Sequence, residues 1–138
     1  MILKEFNLIA AFHCYNEEYF DGILPIPNLV ISHSYRTLGY FHCDVGLSGG
    51  FYNETIEISD NYDYTEEQFR DIMIHEMIHY YLLYVGLDTK CKHGKEFKRL
   101  MDDFNIRHGF NITKTIDLTN YKVRRGKSKL MFKLCTFF

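Results

Sequence analysis

The segment His75-Glu76-Met77-Ile78-His79 spaces two imidazoles four residues apart, with a carboxylate directly after the first. On an α-helix, residues four apart lie one turn above each other on one face, so both imidazoles can reach a single ion. Glu76 lies about 100° round the axis, near enough to touch a metal-bound water without ligating the metal. Zinc in such a site lowers the pKa of that water toward ~7. A carboxylate can then take the proton during attack on a carbonyl and hand it to the leaving amine. These residue types predict His75 and His79 as metal ligands and Glu76 as the catalytic base. The competing reading, two core histidines and an incidental glutamate, leaves an uncompensated polar cluster in an apolar helix, which is costly to desolvate.

A catalytic zinc site usually takes three protein ligands and leaves the fourth position to water. A third histidine six residues after His79 is excluded, because that position is Val85. Gly86-Leu87-Asp88 then turns the chain back, and His93 follows. Two helices joined by such a turn can bring His93 opposite the first pair, with Cys91 and Asp88 as rivals for the third position. His13, His33, His42 and His108 lack ligand-like spacing. Tyr80, Tyr81 and Tyr84 follow the pair at helical spacing and read as core, although one of them, or Tyr40, is a candidate to stabilise an oxyanion.

The elements that must position these groups follow from local pattern. Residues 2–20 carry Leu8, Phe12, Tyr15 and Tyr19 at helical spacing, with Ile2, Phe6 and Ile9 beside them, and Asp21-Gly22 ends the run. Strands are predicted over 29–34, 38–44 and 55–59, the last with Ile56 and Ile58 on one face. Thr65-Glu66-Glu67-Gln68 is a capping box, flanked by Tyr64 and Phe69 as a hydrophobic staple. The helix it starts runs to Val85, with Gly86 as its C′ residue. Its second half, 77–85, is apolar nearly all round and is predicted to be buried. A further helix spans 93–108, and 121–138 reads as a β-hairpin turning at Gly126.

The sequence resembles the SprT-like family of zinc metallopeptidases, which includes the Spartan proteases acting on DNA–protein crosslinks. The resemblance rests on His75-Glu76-Met77-Ile78-His79-Tyr80-Tyr81-Leu82 and on His93-Gly94-Lys95-Glu96-Phe97, similar to the family's H-G-x-x-F motif. Asn16-Glu17-Glu18-Tyr19-Phe20-Asp21-Gly22-Ile23-Leu24 and Asn111-Ile112-Thr113 add to it, so that it covers roughly residues 8–113. It implies a zincin-like core in which a helix precedes a small sheet and the H-E-x-x-H helix packs across it. It also implies His75, His79 and His93 as zinc ligands and Glu76 as base. Longer members carry a zinc ribbon after the core; here only Cys135 occupies that region.

The 138 residues are enough for one domain with a core of its own. Four separated cysteines form no disulfide framework, and no apolar run approaches a membrane span, so the expected compartment is the cytoplasm. The net charge of −2 hides an asymmetry. Lys122, Arg124, Arg125, Lys127, Lys129 and Lys133 lie in a tail without acidic residues, leaving 10 Lys and Arg against 18 Asp and Glu in residues 1–121. Such a tail contacts a phosphate backbone, or it is an edge hairpin kept soluble by lysine or a tail that docks on the acidic body.

The expectation is thus an α+β protein. It has an N-terminal helix, a three-stranded sheet, the H-E-x-x-H helix, a further helix carrying the third ligand, and a C-terminal hairpin. Residues 1–121 form the metallopeptidase domain and 122–138 a basic hairpin or tail packed on it. The function is hydrolysis of peptide bonds in protein substrates by a zinc-bound water, with DNA-associated proteins as a candidate class and one catalytic Zn2+. The alternative is a non-catalytic zinc-stabilised module that binds nucleic acid through Lys122, Arg124, Arg125, Lys127 and Lys129.

Overall fold

A computed structural model describes residues 1–88, 90 and 92–124. Its element order is α1 (Glu5–Tyr19), β1 (Asn28–Ser32), β2 (Gly39–Val45), β3 (Phe51–Ser59), β4 (Tyr62–Asp63), α2 (Glu66–Tyr84), α3 (Lys95–His108), a short 3-10 turn (Leu118–Asn120) and β5 (Lys122–Val123). The described residues are α+β, as the sequence predicts.

The first helix starts at Glu5, so Ile2 lies before it and is exposed; the helix buries Leu8, Phe12 and Asn16 while Phe6 stays largely exposed, and its apolar stripe is narrower than the spacing over 2–20 suggests. Asn16 does two jobs at its end. Its backbone carbonyl accepts from Phe20 and Gly22, and its side chain pairs with both the carbonyl and the N–H of Leu24. Asp21 and Gly22 adopt left-handed φ, which turns the chain toward the sheet.

The three longer strands form one sheet in the order β1-β3-β2, with β1 parallel and β2 antiparallel to β3. Ile56 and Ile58 of β3 are completely buried beneath α2. That helix starts on the predicted capping box: the Thr65 hydroxyl accepts from the Gln68 N–H at 3.1 Å, and the Gln68 side chain accepts from the Thr65 N–H at 3.0 Å. Both staple residues, Tyr64 and Phe69, are buried.

From Ile72 to Leu83, α2 is buried on nearly every side. Tyr84 and Val85 correct the expectation that burial extends to the end, because the last turn emerges from the core to feed the Gly86 turn. Aromatic packing ties the layers together: Tyr80 stacks on Phe41 of β2 at 5.3 Å, and its hydroxyl donates to the Pro25 carbonyl at 2.8 Å.

Two local differences from the sequence reading matter. The third helix begins at Lys95 with Gly94 as its N-cap, so His93 precedes the helix and sits on the connecting turn. Gly94 takes the extended N-cap conformation, a position at which glycine is one of the favoured residues. At the other end, Lys122 and Val123 pair antiparallel with Asp63 and Tyr62. The remainder of the expected hairpin, 125–138, lies outside the described residues. Among the described residues, no helix is long and apolar enough to cross a membrane.

Candidate metal centre

The middle of α2 presents His75 and His79 on one face, as their spacing requires, with 1% and 6% of their surfaces exposed. The turn after α2 returns His93 to that face. One ligand-capable atom from each of His75, His79 and His93 lies within 4.8 Å of the others. The Nε2 atoms of His75 and His93 are 3.0 Å apart. Tetrahedral zinc with Zn–N bonds of about 2.0–2.1 Å holds its nitrogens roughly 3.3 Å apart, so this spacing suits one ion.

The protonation states suit it too. Burial, with the neighbouring imidazoles, holds His75 well below the usual histidine range and His79 at about 4. Burial and then Lys114 lower His93 as well. All three are neutral near pH 7, with ring lone pairs available to a cation. The Thr113 carbonyl accepts from His75 Nδ1–H at 2.8 Å, which leaves Nε2 as the basic nitrogen facing the cluster. Buried His79 Nδ1 has no hydrogen-bond partner among the described residues. A set of three neutral imidazoles with one such orphaned nitrogen fits a bound zinc ion.

Glu76 points from the same helix turn but is no member of the histidine cluster. It is 2% exposed, its Oε2 lies 3.9 Å from His75 Nε2, and that oxygen has no hydrogen-bond partner among the described residues. Burial pushes its carboxyl well above the usual range, against a hydrogen bond from the Phe41 backbone.

The rivals for the third position separate. Asp88 accepts from the backbone N–H groups of Lys90 and Lys92 at 2.9 and 3.1 Å, so its carboxylate shapes the turn that delivers His93. Cys91 lies outside the described residues. The other histidines are elsewhere: His33 pairs with Asp60, His42 with Glu57, His108 packs on Tyr19, and His13 meets the edge of Phe12. Of the tyrosines, Tyr80 is committed to Pro25, Tyr81 packs on Phe20, and Tyr40 and Tyr84 are about half exposed.

Phe97 has a place that helical periodicity alone does not reveal. Its fully buried ring lies 4.7, 4.5 and 4.8 Å from the rings of His75, His79 and His93, so it forms the floor on which the three imidazoles rest. Its position three residues after Gly94 in the second motif is the signal that marks it.

In the basic tail, Lys122 lies 3.9 Å from Asp63 and Arg124 2.9 Å from Asp60, so both contact carboxylates of the acidic body. Arg125, Lys127 and Lys129 lie outside the described residues.

No individually curated protein matches the chain. The model of the SprT-like family matches residues 8–116, a span that runs from the buried face of α1 through both histidine motifs to the irregular segment supplying the Thr113 carbonyl. With the match covering most of the sequence and every member of the histidine cluster, the chain belongs to the SprT-like family.

Proposed function

We propose that this protein is a zinc-dependent metalloendopeptidase with a zincin-like centre, acting on peptide bonds of protein substrates. The observation that carries the reading is the convergence of three imidazoles, those of His75 and His79 buried and that of His93 partly so, beside a buried carboxyl that is not one of them. A structural zinc site usually closes its sphere with four protein ligands, whereas three histidines leave one position open.

His75, His79 and His93 would hold the ion. Bound zinc supplies Lewis acidity and makes water a nucleophile near neutral pH. Glu76 takes a proton at its carboxylate and returns it to the departing amine, acting as base and then as acid. Burial raises its pKa, and the hydrogen bond from the Phe41 backbone opposes that rise and orients the carboxyl. The Thr113 carbonyl holds the His75 ring in one tautomer throughout.

Labelled casein is a suitable general substrate for the test. Glu76→Gln should retain one zinc per chain and lose cleavage by at least about 10³-fold, the upper part of the range for general acid–base catalysis. His93→Ala should lose the zinc. A Glu76→Gln variant that cleaves casein at the wild-type rate would falsify the reading.

A further inference from the structure

Position 39 is glycine for reasons of space. The glycines with left-handed φ are Gly22, Gly49, Gly86 and Gly109, whereas Gly39 opens β2 opposite Ile58 without needing such freedom. Glycine in a strand costs roughly 0.5–1 kcal/mol relative to alanine, so its presence there calls for a local cause.

The cause lies across the strand edge. A Cβ on residue 39 would sit 2.8 Å from Glu76 Oε2, 2.9 Å from Ile72 Cγ2 and 3.1 Å from Glu76 Cγ. Contacts this short force a neighbour to move, and Ile72 and Glu76 are both buried on a packed helix.

Strand alternation explains why the carboxylate is there. The Ser59 N–H donates to the Leu38 carbonyl at 2.8 Å, so residues 38 and 40 turn their backbone groups toward β3. Residues 39 and 41 turn theirs to the opposite edge, and β2 is the outer strand of the sheet. On that edge the Phe41 N–H donates to Glu76, and the bare Gly39 leaves the volume that the carboxylate fills.

We propose that Gly39 is a positioning residue for Glu76: its missing side chain makes a recess in the edge of β2 that sets the carboxylate beside the histidine cluster. The functional consequence rests on the reading of Glu76 as the proton carrier. Any side chain at position 39 drives the carboxylate off the strand, away from the Phe41 N–H and out of register with the site. Misplacement by about 1 Å of a group engaged in the chemistry can cost on the order of 10²-fold in rate.

The test is Gly39→Ala in the full chain loaded with zinc, with casein as substrate. The expected result is a kcat at least tenfold below wild type, with KM within twofold and zinc content unchanged. A kcat within twofold of wild type overturns the proposal. A second comparison covers a variant that folds poorly: Gly39→Ala is combined with Glu76→Ala, which removes Oε2 and Cγ from the recess. The added methyl should then lower the melting temperature far less than it does with Glu76 present. Equal losses in the two backgrounds overturn the proposal, because the space would then be set by Ile72 or the sheet. If wild type itself fails to cleave casein, the protease reading fails, and the melting comparison still decides whether Gly39 holds Glu76.

Discussion

The carbonyl of Thr113 lies 2.8 Å from Nδ1 of His75, although 38 residues separate them. A segment beyond α3 therefore orients a member of the histidine cluster in the middle of α2. That segment is itself held by Asn105, whose side chain donates to the Ile112 carbonyl and accepts from the Ile112 N–H, both at 2.9 Å.

Asn105→Ala should accordingly weaken zinc binding without touching a ligand. Loss of a supporting partner to a metal-binding histidine typically costs 10–100-fold in affinity, and tenfold or more is expected here. Chelator competition on wild type and variant measures it. An unchanged affinity would show that the Thr113 carbonyl holds its place without Asn105.

Phe97 tests the floor of the site. Phe97→Ala removes a completely buried ring and should destabilise the protein by about 3–5 kcal/mol. It should also lower zinc affinity, since all three imidazoles lose the surface they pack on. Phe97→Leu keeps more of the volume and should keep most of the stability. Denaturant unfolding with and without zinc separates the two effects, and wild-type zinc affinity in Phe97→Ala would refute the supporting role.

The buried carboxyl makes a prediction about the metal-free protein. Burial raises the folded-state pKa of Glu76 above its ordinary 4.5. The unfolded chain then releases its proton first, and the folded state loses stability as pH rises past 4.5 toward the raised value. Glu76→Gln keeps the shape and removes that loss. After chelation, the variant should melt at least about 3 °C above wild type at pH 8, the shift that ~1 kcal/mol gives in a chain of this size. The two should converge near pH 4. His79, held at about 4, has the opposite sign: stability falls as pH drops from about 6.5 toward 4, in both proteins alike. Calorimetry across this range checks the difference, and identical melting at pH 8 would contradict it.

Much of the centre was legible from local pattern. The four-residue spacing of His75 and His79 and the Thr65 capping box depend only on helical geometry, which acts within a turn or two of the chain. The family motifs pointed to His93 as well, and the three strands lie near their predicted positions. Helical spacing alone puts the start of α3 two residues early, at His93, because neither His93 nor Gly94 offers the side-chain acceptor that marks a helix start in sequence.

Tertiary structure alone decided the rest. Periodicity could not tell that Asp88 spends its carboxylate on the backbone of a turn, or that Tyr80 spends its hydroxyl on Pro25. Nor could it reveal the pairing of β4 with β5, since strands of two residues leave no alternation to read. The Thr113 carbonyl and the bare edge at Gly39 are backbone features, invisible to residue type and brought to the site only by long-range packing. Side-chain chemistry and its spacing are written along the chain. Which backbone groups meet that chemistry depends on how helix and sheet are stacked, and the stacking is a property of the whole core.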